Sequence, residues 1–150
     1  MKKILLISVI LAAMLLSACG APTSGPTTQL APAKQEPTLT PKPVTLTDVV
    51  RYFKEQGLEV GEIVTKAFSM MGAVDGFGIY IEGEQIELYL FDPETADDET
   101  LRNLQDAQSI GKFSAFGFSF PVVMNGDIML TRYDEHTQKD RIIKIFKQFR

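Results

Sequence analysis

The chain has 150 residues, with 15 basic and 19 acidic side chains and a formal net charge of −4. That length has room for one domain. The acidic balance lacks the basic excess that nucleic acid, or an anionic lipid surface, selects by charge. A single cysteine, Cys19, excludes an intrachain disulfide framework, and a single histidine, His136, leaves little material for a zinc site.

The first segment, MKKILLISVILAAMLLSA, covers residues 1–18. Lys2 and Lys3 form a positive start, Ile4 to Leu16 is apolar apart from Ser8, and small residues precede Cys19. This is the layout of a secretory leader. The apolar run is shorter than the roughly 20 residues that a membrane-spanning helix needs. Its removal takes the basic residues from 15 to 13 against 19 acidic, a net charge of −6.

Residues 19–44 read as a Pro/Thr-rich tether. Six of the eight prolines lie here and none of the fourteen aromatics, so the stretch cannot bury enough apolar surface to offset the entropy of ordering it. In extended polyproline geometry, at about 3.1 Å per residue, it reaches at most roughly 75 Å.

The aromatics fall between Tyr52 and Phe149, which delimits a folded domain over residues 45–150. Thr45 and Asp48 form a capping box ahead of Leu46, Val49, Val50 and Phe53 at helical spacing, and Gly57 stands where a left-handed cap ends a helix. LEVGEIVTKAF (58–68) reads as a short strand. Alternation through Ile79–Ile81 and Ile86–Phe91 around Gly83 predicts a hairpin. Ile86, Leu88 and Leu90 share one face of its second strand, and Glu87, Tyr89 and Phe91 share the other, a pattern expected of a strand buried on both sides.

Asp92-Pro93 predicts the start of a second helix, with Ala96, Leu101 and Leu104 toward the core. Its carboxylates, Glu94, Asp97, Asp98 and Glu99, suit the positive end of a helix macrodipole. VVMNGDIML predicts a second hairpin with Asn125-Gly126 in a type I′ turn. A closing helix over 138–149 packs through Ile142, Ile143, Phe146 and Phe149. Hairpins imply an antiparallel sheet, and amphipathic helices need a face to cover. The expected fold is α+β: a two-layer sandwich of three helices on an antiparallel sheet of two hairpins plus a short strand. The order repeats a hairpin followed by a helix.

Chemistry is sparse. GFSFP (117–121) stops one residue short of a G-x-S-x-G nucleophile elbow, because Pro121 stands where the second glycine belongs. Ser119 runs into a strand, and His136 reads as a solvated residue ahead of the last helix. The acids of FDPETADDE lack calcium-loop spacing, so no metal or cofactor is expected. Paired carboxylates, or Ser119, keep a small envelope hydrolase open as an alternative. The one apolar signal is a face of Phe68, Met70, Met71, Phe116, Phe118 and Phe120, in which Phe116, Phe118 and Phe120 share strand parity. It reads as core packing or as a groove for an envelope protein or an apolar ligand.

Two resemblances follow from these residues. Leu16-Ser17-Ala18-Cys19 matches the lipobox of bacterial lipoproteins. The match implies cleavage before Cys19, a diacylglycerol on its sulfur, and attachment to the cell membrane on the extracytoplasmic face through that lipid. Two acyl chains meet the physical requirement for stable anchoring. The domain itself, through LEVGEIVTKAF, IYIEGEQIELYLFD, a polar helix, FPVVMNGDIMLTRY and a closing helix, resembles a family of small uncharacterised lipoproteins from Gram-positive and related bacteria. Members of that family often continue past the last helix with a glycine-containing tail, which this chain lacks. The resemblance carries no known activity. The expectation is a membrane-anchored envelope lipoprotein with a small non-enzymatic interaction or ligand-binding domain.

Overall fold

Thr45 opens the domain with reciprocal capping. The Asp48 main-chain N–H donates to Thr45 Oγ1 at 3.3 Å, and the Thr45 N–H donates to Asp48 Oδ2 at 3.0 Å. In the computed structural model, which describes residues 43–149, this cap starts α1 (Leu46–Glu55), and Leu46, Val49, Val50 and Phe53 are its buried residues. Gly57 follows in the left-handed region at φ 76°. The leader, Cys19 and most of the tether lie outside the described residues.

Strands β1 (Val60–Thr65), β2 (Asp75–Ile81) and β3 (Glu84–Leu90) form a first antiparallel meander. Between β1 and β2 a 3₁₀ turn spans Phe68–Met71. Helix α2 (Asp98–Ile110) leads into a second meander, β4 (Lys112–Ala115), β5 (Phe118–Asn125) and β6 (Ile128–Thr131), and α3 (Lys139–Gln148) closes the domain. The strand order is β1-β2-β3-β6-β5-β4, so the two meanders join where β3 pairs with β6.

The α+β class, the antiparallel sheet and the three helices stand as expected, but the layering differs. Ile86 and Leu88 of β3 belong to a core with α1 and α3, together with Ile128 and Leu130 of β6. Tyr89 and Phe91 belong to a second core with Leu104 and Ala107 of α2, together with Met129. Opposite parities of the same two strands thus enter different cores. Helices cover both faces, giving three layers, and the second half is not a rotated copy of the first. Both cores, as described, lie within residues 46–149, in the compact unit Thr40–Arg150, so a fragment of residues 43–150 contains both.

Four local expectations shift. The second helix starts five residues later, capped by Asp97, whose Oδ1 accepts the Thr100 N–H at 2.7 Å. Asp92 instead closes a turn of its own, accepting from the Glu94 N–H at 3.0 Å. In α3 the buried residue is Ile145 and not Ile143. The sheet has six strands because Lys112–Ala115 pairs with Phe118–Pro121.

The second hairpin turns on Gly126-Asp127, since Asn125 pairs with Ile128. Gly126 has φ 58° and Asp127 is not left-handed. That is the pattern of a type II′ turn, which takes glycine at its first central position. Asn125 is thereby freed for another task. Its Nδ2 donates to the Phe146 carbonyl at 2.6 Å and to the Phe149 carbonyl at 2.8 Å, satisfying carbonyls at the open end of α3.

Candidate functional site: an exposed aromatic hairpin between two clefts

β5 changes partner along its length. Residues 118–121 pair with β4 and residues 122–125 pair with β6. The next ladder position on β6 is Arg132, at φ 58°, and it would face Pro121. Proline has no N–H to donate and a left-handed residue leaves the strand direction, so pairing ends there. The Pro121 carbonyl is taken by Thr131 Oγ1–H at 3.1 Å. Beyond this point β4 and the first half of β5 continue as a two-stranded arm.

The tip of that arm is Phe116-Gly117, with φ of 55° and 78°. A two-residue loop with both residues left-handed is a type I′ turn, where Asn, Asp or Gly is usual. A side chain with a Cβ is strained there by about 1–2 kcal/mol. Phe116 is nevertheless 60% exposed, and its neighbour Phe118 is 74% exposed. Phe116 therefore belongs to the turn, and the parity expected for Phe116, Phe118 and Phe120 holds only for the last two.

Two clefts flank Phe116. One, of about 250 Å³, lies between the 3₁₀ turn, the start of α2 and β4, and is lined by Met70, Met71, Phe113, Ala115 and Phe116 together with Asp97 and Glu99. The other, of about 340 Å³, has Met71, Phe116, Phe120 and Pro121 as apolar walls, with Glu87 and Tyr89 below and Arg132 and Asp134 at its margin. Gly72 sets the first cleft's width: a Cβ there would run into the Thr100 side chain, and φ is 74°. The 3₁₀ turn can thus close onto α2.

Of the six apolar residues singled out by sequence, the structure gathers Met70, Met71, Phe116 and Phe120 around these clefts. Phe68, Met71 and Phe120 also pack on the second core, with the Phe113 and Phe120 rings 6.0 Å apart. Phe118 lines neither cleft and Met70 is 64% exposed. The patch is part core and part surface ridge.

Sequence patterning missed the charges beneath. Glu87 accepts Lys66 Nζ at 2.8 Å and the Tyr89 hydroxyl at 2.8 Å, with Arg132 at 3.4 Å. Burial pushes the Glu87 carboxyl up, but the bonds from Lys66 and Tyr89 and the charges of Lys66 and Arg132 outweigh it, and its pKa is lowered. Burial, and then the bond to Glu87, hold the Tyr89 phenol well above its usual range. The charged partners come from β1–3₁₀, β3 and the end of β6, a long-range grouping that no local motif announces.

His136 is 3% exposed, in contrast to the solvated position expected. Its Nδ1 accepts the Gln138 N–H at 3.0 Å, so the ring proton sits on Nε2, which donates to the Ile81 carbonyl at 2.9 Å. Both nitrogens are engaged in holding α3 against β2. Ser119 is exposed on the arm, and the cleft that His136 lines with Glu84, Gln85, Arg132, Asp134 and Glu135 does not include it. Glu84 caps the same loop, accepting from Thr137 Oγ1 at 2.6 Å and the Thr137 N–H at 2.9 Å, bonds that lower its pKa. Among the described residues no group of three or more His, Cys, Asp or Glu is placed to hold a metal ion, and no helix is long and apolar enough to cross a membrane.

The chain enters the domain at the opposite end from the arm. Pro43 and Val44 line a cavity of about 490 Å³ with Phe149, Pro93 and the Gly126-Asp127 turn. β5 runs from the arm to that turn over eight residues, roughly 25 Å at about 3.3 Å per residue. No family model, no curated protein and no solved structure matches this chain.

Proposed function

We propose that the chain is an envelope lipoprotein, held on the extracytoplasmic face of the cell membrane by lipid on Cys19, whose domain is a non-enzymatic binding module. The charged leader, the Leu16-Ser17-Ala18-Cys19 tetrad and the proline-rich stretch behind it support the anchoring. Binding is supported by one observation above others: Phe116 occupies a left-handed turn position that strains it, while 60% of it stays exposed to water. Neither backbone preference nor burial explains an aromatic there, whereas contact with a partner does. The ridge also lies at the end of the domain away from chain entry, where a tethered module reaches outward.

The test has two arms. Cys19→Ser should abolish fatty-acid labelling and move the protein out of the membrane fraction; unchanged labelling would sink the anchoring. Photo-crosslinking from position 118 in living cells should give a discrete adduct that Phe116→Asn removes while the domain stays folded. An adduct indifferent to that change would remove the ridge from the binding reading.

A further inference from the structure

The cleft between the 3₁₀ turn and α2 differs chemically from its neighbour across Phe116. Met70, Met71 and Phe116 supply its accessible apolar lining, Ser69, Thr100, Asn103 and Ser114 are polar, and its charged lining residues are Asp97 and Glu99, with no lysine or arginine among them. The acids continue along the adjoining chain: residues 92–110 carry Asp92, Glu94, Asp97, Asp98, Glu99 and Asp106 against Arg102 alone. The Thr100 N–H bonds the Asp97 carboxylate and lowers its pKa. Methionines give this wall a surface that re-packs around irregular apolar shapes, and Phe116 overhangs it from the arm.

We infer that this cleft takes a cationic amphipathic peptide segment, its apolar side chains seated between Phe116 and the Met70-Met71 pair and its lysines or arginines against Asp97 and Glu99. Charge complementarity decides the occupant. An anionic lipid surface would also accept an exposed aromatic hairpin, but the carboxylates at the cleft repel it. A second copy of this acidic chain brings like charge to the same place. A neutral apolar ligand would leave the acidic rim without a role. The inference rests on the ridge being a binding surface, and it adds the chemical class of what binds.

The chain contains no tryptophan, so a tryptophan-bearing probe reports binding without background. A designed peptide of about twelve residues built from Leu and Lys, and its Leu/Glu counterpart, would be titrated with the 43–150 fragment by fluorescence. The Leu/Lys peptide should bind, about tenfold or more weakly in 300 mM than in 20 mM salt, and the Leu/Glu peptide should not. Phe116→Asn suits the turn better than the native residue and should weaken binding about tenfold or more. Glu99→Lys should weaken it severalfold and flatten the salt dependence, with circular dichroism showing both variants folded. Equal binding of both peptides, lost in Phe116→Asn, overturns the cationic assignment and leaves the ridge standing. Binding unaffected by Phe116→Asn overturns both. Failure of both peptides to bind, or Phe116-dependent binding only to vesicles rich in phosphatidylglycerol, overturns the peptide assignment.

Discussion

Lys66 Nζ lies 2.8 Å from Glu87 Oε1, and the Glu87 side chain is only 12% exposed. An acid so enclosed is stable because the cation comes with it. Its pKa is lowered on folding, so its contribution is complete above the unfolded value of about 4.3 and is lost as pH falls through the lower folded value. Glu87→Gln should destabilise the domain by about 1–3 kcal/mol at pH 7. The gap to the parent should narrow toward pH 3. Urea midpoints measured across that range test it; a gap independent of pH would assign the loss to packing.

Asn125→Ala removes two donors from the end of α3 and should cost about 1–3 kcal/mol. Asn125→Gly separates this role from a turn role. Glycine would be accepted readily in a turn, yet here it should destabilise at least as much as alanine. Denaturant titration of the pair decides the matter, and a neutral Asn125→Gly would contradict the capping geometry.

Phe116→Asn should raise thermal stability. Asparagine tolerates the left-handed turn position, relieving about 1 kcal/mol, which for a domain of this size is an increase in Tm of about 4–8 °C. A fall in Tm would mean that the ring contributes more to packing than its exposure implies. A gain would make Phe116 a residue kept against stability, as functional surface residues often are.

The α+β class was legible in the sequence because strand alternation and helix capping are local signals. Thr45 with Asp48 announced the first helix, and Ile86 to Phe91 announced a strand buried on both faces. The layer count was hidden, because parity shows that two faces are apolar without showing which helix takes which. Gly126 was paired with Asn125 by a strong dipeptide preference, which lost to the reach of the Asn125 side chain toward α3. β4 went unseen because its turn carries Phe116 where Asn or Gly is the usual signal. His136 stood among polar residues and is buried by contacts from β2, far away in sequence.

The joining of β3 to β6 also bears on how the chain assembles. Each meander is contiguous in sequence, so most strand contacts close short loops, and only the central pairing and the docking of α3 demand long ones. Short loops close quickly, which leaves the seam as the step that limits the folding rate. Leu130→Ala, at a fully buried seam position, should therefore slow refolding in a chevron experiment. Phe113→Leu, in the second core where β4 packs on α2, should chiefly speed unfolding. Equal partition of the two effects would refute the order. On this account the aromatic arm, closed by its own two-residue turn, forms early, and the domain is completed only when the two meanders meet.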